Sequence, residues 1–136
     1  MYTDQLPPND IEAEEAVIGS ILIDGESINK VAEKLEPNDF FSERNRLCFK
    51  ACLSIMARGD ALNQITVANE LQLTNDLESI SGTSYLSQLV LSTPTSIHIE
   101  HYSDLVYRAS IMRRLIEAAQ ILFLWVITGR QTLIQP

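Results

Sequence analysis

His98 and His101 stand three residues apart with Glu100 and Asp104 close by, a set of donors that a divalent metal accepts when further ligands complete the geometry. No third and fourth ligand follow at a fixed spacing, so the set reads as polar helix surface. Glu12, Glu14 and Glu15 crowd a second short stretch. Paired carboxylates do general acid–base work only when burial separates their pKa values, whereas acids at a helix start are already explained by the helix dipole. Cys48 and Cys52, four apart, share one helix face without the geometry of a disulfide, and no other cysteine completes a metal site. They read as buried thiols in a reducing compartment. The glycines at 19, 25, 59, 82 and 129 stand alone, so no loop of consecutive backbone N–H groups cradles a phosphate. Neither a G-x-S-x-G elbow nor a Cys/His couple is present. The residues predict no catalytic, cofactor-binding or metal site in this chain.

A length of 136 residues fits one domain with a core of its own, and 46% hydrophobic with 21% charged residues is ordinary for a globular chain. The formal net charge is −8, which repels a phosphate backbone. Basic residues are missing from Met1–Asn29 and again between Arg58 and Arg108. Arg108, Arg113 and Arg114 form the patch from which an independent single-stranded nucleic-acid-binding module would have to work. A small helical enzyme built on the acidic first helix is the third reading. The opening MYTDQLPPND lacks a basic and an apolar region of the secretory kind, and the apolar run Ile121–Ile127 is too short for a bilayer, so the expectation is cytoplasmic with no membrane partner.

Apolar spacing is helical nearly throughout. Asn9 caps a first helix with Glu12 three residues on, and Val17, Ile18, Ile21 and Leu22 form its inner face. Gly19 weakens that helix by about 1 kcal/mol relative to alanine, and a close helix–helix crossing would offset this. After Asp24-Gly25, the spacing of Ile28, Val31, Ala32 and Leu35 predicts a second helix. Past the Glu36–Asp39 turn and the apolar pair Phe40-Phe41, Ser42 caps a third. It runs to about Arg58, with Cys48, Phe49, Cys52, Ile55 and Met56 inward and Gly59 as its stop. Thr66 starts a short helix showing Val67 and Leu71 inward, and another carries Leu86, Leu89 and Val90 after the loop 79–84. A long helix begins near Ile97. The predicted class is all-α, an irregular bundle of about six helices ending in that long helix.

In order and spacing these landmarks resemble the N-terminal domain of the DnaB-type replicative DNA helicase family. Pro7-Pro8-Asn9-Asp10-Ile11-Glu12-Ala13-Glu14 followed by Val17-Ile18-Gly19-Ser20-Ile21-Leu22 resembles its "PP-x-x-IEAE-x-x-VLG-x-x-L" opening. Asp39-Phe40-Phe41 resembles its "DFY" turn. Gln64-Ile65-Thr66-Val67, with Gln64 in place of the usual acid, and Gly82 with Tyr85-Leu86 and Leu89 follow. Thr93-Pro94-Thr95-Ser96, His101-Tyr102 and Arg113-Arg114-Leu115-Ile116 fit the long-helix region. The resemblance covers a domain at 7–120, and 121–136 is a divergent C-terminal tail.

The resemblance implies a non-catalytic collar domain in DNA replication. In the family the long helix turns back into a second antiparallel helix, followed by a linker and a RecA-like motor that holds the ATP and Mg; this chain would carry no cofactor. The expected product is a truncated or frameshifted one, or a fragment with a foreign tail. The implied partners are a second copy (a dimer, part of a hexameric ring), primase and other replisome proteins, with DNA touched only indirectly or weakly. The expected oligomer or partner stripe is Tyr102, Leu105, Val106, Ala109, Arg113, Ile116, Leu122 and Trp125, set against ordinary packing of the same residues on their own core.

Overall fold

A computed structural model describes residues 6–134, the stretch 130–134 as backbone only. Among these residues the structure is all helical: α1 (Ile11–Ile23), α2 (Glu43–Arg58), α3 (Gln64–Leu73), α4 (Thr83–Ser92) and α5 (Ile99–Ile134), with short 3-10 helices at Gly25–Lys30, Pro37–Asp39 and Glu78–Ile80. α1 is the central element and packs on α2, α4 and α5.

Its cap is Asp10 and not Asn9. The Asp10 carboxylate accepts from the Ala13 amide at 3.0 Å, while the Asn9 side chain turns back to donate to the Pro7 carbonyl at 2.9 Å. Val17, Ile18, Ile21 and Leu22 are buried as expected, and so is Glu14. The stretch expected to be a second α-helix is a 3-10 helix followed by turns, with Val31 N donating to Ile28 O and Lys34 N to Val31 O. It lies between the Asp24-Gly25 break and Pro37, which leaves little room for an α-helical nucleus to grow. Ile28, Val31 and Leu35 still reach the core.

α2 starts at the Ser42 cap and ends on Gly59, whose φ of 74° is the left-handed stop that glycine takes without strain. α3 begins two residues before the expected Thr66. Asn63 is its cap, accepting from the amides of Ile65 and Thr66, and the Thr66 hydroxyl accepts from the Asn63 amide in return. At Gly19, α1 crosses the end of α4. A Cβ there would lie 2.0 Å from Thr93 Oγ1 and 2.9 Å from the Leu89 carbonyl oxygen, which is the close crossing expected from sequence.

Cys48 and Cys52 are fully buried on the inner face of α2. Burial pushes the Cys48 thiol up from 9.0 to about 12, and burial with the neighbouring Cys48 raises Cys52 as well. Both thiols stay protonated in the fold where an unfolded chain ionises them. Their contribution is therefore intact below about pH 9 and is lost as pH rises from there toward 12. Cys52→Ala is expected to cost about 1 kcal/mol in urea unfolding at pH 8, as a small core truncation. It should also shrink the stability lost between pH 8 and pH 10; an unchanged loss would rule out the buried-thiol account.

Candidate interaction surface on the long helix

Two buried carboxylates build the base from which α5 projects. Glu14, on α1, accepts from the amides of Phe41 at 2.7 Å and Ser42 at 3.2 Å and from Asn45 Nδ2 at 3.1 Å. Asn45 Oδ1 in turn accepts from the Tyr85 hydroxyl. Burial raises the Tyr85 pKa first, with the negative charge of Glu15 next, so the hydroxyl keeps its donor proton. The Arg44 guanidinium lies 4.1 Å over the Tyr85 ring. α1, α2 and α4 are thereby tied through one polar network inside an apolar core.

Asp39 does the equivalent for α5. Its Oδ2 accepts from the Glu36 amide at 2.7 Å, and its Oδ1 accepts from the Ser110 hydroxyl at 2.6 Å and from Arg114. Arg113 spans two backbone carbonyls, donating to Pro8 O at 2.9 Å and Asp39 O at 2.8 Å, with its guanidinium 5.5 Å from the centre of the Phe41 ring. Partial burial lowers the Arg113 pKa somewhat, against the raising influence of Glu14 and Asp39. The helix face that makes these contacts carries Ile99, Ser103, Val106 and Ser110, all buried and spaced by four, three and four. Lys34 adds an exposed ion pair to Asp104.

Beyond Arg113 the body ends and the helix continues. Every residue from 114 to 129 is exposed, and α5 runs unbroken across 120–121. At 36 residues it is about 54 Å long. Leu115, Ile121, Leu122, Phe123, Leu124 and Trp125 are each more than half exposed, Trp125 at 74%. One side of this projecting half faces the N-terminal segment across a groove of about 850 Å³. Leu6, Pro7, Pro8, Ile116, Ala119, Gln120, Phe123 and Leu124 line it.

The expected contact stripe therefore divides at Arg113. Val106 belongs to the core, Tyr102 and Leu105 pack partly buried against it, and Ala109 is half-buried. Arg113 is the clamp just described, Ile116 lines the groove, and Leu122 and Trp125 lie open. Of the basic trio, Arg113 and Arg114 are engaged with Asp39 and the Pro8 carbonyl, and Arg108 alone points to solvent without such contacts to the body. His98 and His101 are exposed, and no group of three or more His, Cys, Asp or Glu among the described residues is placed to hold a metal. No described helix is long and apolar enough to cross a membrane. Sequence reasoning missed Glu14 and Asp39 as anchors. The only signal for them was an acid set among the apolar landmarks around it.

Residues 6–108 match the family model described as the DnaB-like helicase N-terminal domain. The replicative DNA helicase DnaB of Geobacillus stearothermophilus is 37% identical over 119 residues, which are 88% of this chain and 26% of that protein. The replicative DNA helicase DnaC of Bacillus subtilis (strain 168) is 39% identical over a stretch of the same coverage. The chain thus spans about a quarter of the length of these curated relatives. Among solved structures, the N-terminal domain of DnaB helicase from Mycobacterium tuberculosis has a TM-score of 0.89 at 32% identity, covering 93% of this chain and 90% of that one. Two others share the fold. One is a DnaB-like replicative helicase described with its interactions with primase (TM-score 0.77, 23% identity, 86% of this chain and 27% of that one). The other is the N-terminal domain of DnaB helicase from Helicobacter pylori, also described with primase (0.72, 22%, 84% and 89%).

Proposed function

Because the chain belongs to the family of DnaB-like helicase N-terminal domains, we propose that it works in DNA replication as a non-catalytic collar domain, through contacts with a second copy of itself and with replisome proteins. The observation that carries this reading is the projecting half of α5, where large apolar side chains such as Leu122 and Trp125 are exposed and no other described helix packs over them. Contiguous apolar patches on monomers rarely pass a few hundred Å², and here Ile121, Leu122, Phe123, Leu124 and Trp125 are each more than half exposed in one unbroken run. Ile116, Leu122 and Trp125 are the proposed contacts. Tyr102, Leu105, Val106, Ala109 and Arg113 hold the helix at the angle that presents them.

Primase is the proposed heterologous partner, on the strength of the two fold relatives described with it. A ring of such domains above ATP- and Mg-using motors, in the cytoplasm, is the setting that the sequence resemblance implies, and the curated relatives are named replicative DNA helicases. DNA contact of the domain itself is indirect or weak in this reading, since the net charge is −8 and two of the four arginines on α5, Arg113 and Arg114, serve the fold. Sedimentation equilibrium on the unmodified chain tests the proposal: a dimer or larger species is expected at micromolar concentration. A monomer persisting into the high micromolar range would refute it.

A further inference from the structure

Leu6, Pro7 and Pro8 form one wall of the groove along the projecting half of α5, and Ile116, Ala119, Gln120, Phe123 and Leu124 form the other. At about 3.6 residues per turn these five lie on one side of the helix, with Trp125 roughly opposite their centre and Leu122 on the far flank. Ile127 continues their side one turn farther. Leu6 and Phe123 are 78% and 64% exposed although both border this one groove. Followed back toward its start, the chain is pinned at Pro8, whose carbonyl accepts from Arg113 at 2.9 Å, and enters the groove at Leu6. Met1-Tyr2-Thr3-Asp4-Gln5 come next in sequence and lie outside the described residues.

We propose that residues 1–5 lie along this groove as a strap, with Met1 and Tyr2 covering Phe123, Leu124 and Ile127 from within the same chain. Length favours this occupant. Leu6 and Pro7 each precede a proline, which keeps both in extended backbone. The helix wall of the groove begins past Arg113, at Ile116, so the segment heads outward along α5. At about 3.1 Å per residue the chain from Pro8 back to Tyr2 spans about 19 Å, which α5 covers in about 12 residues at about 1.5 Å each. Counted outward from Arg113, Tyr2 comes level with 123–127 and Thr3 with Phe123. Composition favours it too, since Met1 and Tyr2 are the large, mainly apolar side chains of the segment, and the tyrosine hydroxyl keeps to water at the rim. A tethered occupant also has an effective concentration in the millimolar range, which a free partner rarely matches. The strap goes beyond the collar reading and does not depend on self-association. It covers Ile116 from within the chain and leaves Leu122 and Trp125, on the other side of the helix, to a partner.

Two double-cysteine variants test the strap, because Cys48 and Cys52 are buried and stay silent. Thr3→Cys with Phe123→Cys sets both thiols at one height on the groove side. Thr3→Cys with Trp125→Cys offers nearly the same height on the opposite side. Both helix positions are exposed, at 64% and 74%, so neither change threatens the fold. Under mild oxidation of dilute protein, the first variant is expected to close an intramolecular disulfide about tenfold faster than the second, read by intact mass and by monomeric mobility without reductant. Equal rates would mean a segment that samples both sides of the helix, and would overturn the strap. Cross-linked dimers in place of the closed monomer would give the groove to a neighbour's segment and overturn it as well, as would closure in neither variant. None of these outcomes touches the association reading, which sedimentation of the unmodified chain decides.

Discussion

Gly19→Ala is expected to destabilise the domain by about 2–3 kcal/mol, with the opposite sign to what helix propensity predicts. On propensity alone, alanine inside α1 would be better than glycine by about 1 kcal/mol. The added methyl, however, would lie 2.0 Å from Thr93 Oγ1 and 2.9 Å from both Thr93 Cβ and the Leu89 carbonyl oxygen. Thr93 cannot swing away freely, because its hydroxyl donates to that same carbonyl at 2.9 Å and the residue is 9% exposed. α1 and α4 must separate. Thr93→Gly removes two of the three clashes and should recover part of the loss in the double variant, a coupling that urea unfolding reads directly. Because association also stabilises the folded state, the comparison belongs at one fixed protein concentration. An alanine variant more stable than the parent would show that the crossing is loose and that the account of Gly19 is wrong.

Replacing Leu122 and Trp125 together by glutamate should weaken self-association by about a hundredfold or more. Each buried large side chain contributes about 1.5–3 kcal/mol at an interface, and the introduced carboxylates would have to be desolvated as well. The same change costs the isolated domain little, since these side chains are 61% and 74% exposed. Sedimentation should therefore report a monomer while far-ultraviolet circular dichroism stays close to that of the parent. A double variant that still dimerises would move the contact to another face, the groove beside Pro7 and Pro8 being the next candidate.

What sequence made legible was whatever rests on periodicity and punctuation. Ser42 and Gly59 bracket α2, and Gly19 announced a crossing, because capping and close packing leave a residue type at a fixed place. Periodicity misjudged 28–35. The spacing of Ile28, Val31 and Leu35 suits one face of an α-helix, but a 3-10 helix and a pair of turns deliver the same residues inward. The long helix was placed correctly in kind, with its start expected near Ile97 and found at Ile99. Its division at Arg113 was invisible, because a stripe that packs on its own body and a stripe that awaits a partner have the same composition. Asp39 decides where one becomes the other, and it lies 74 residues away in sequence from the Arg113 that it meets.

The Arg113 clamp also bears on how the chain reaches this structure. Its two carbonyl partners belong to Pro8 and Asp39, positions 105 and 74 residues earlier. Closing loops of that length carries an entropic cost that only well-formed native surfaces offset, so neither bond contributes until α1 and the 37–41 turn are already docked. A break of this contact would free the Pro8 carbonyl of the N-terminal segment from its side-chain partner, while the Ser110 and Arg114 bonds to Asp39 and the buried Ile99–Ser110 face still hold the helix.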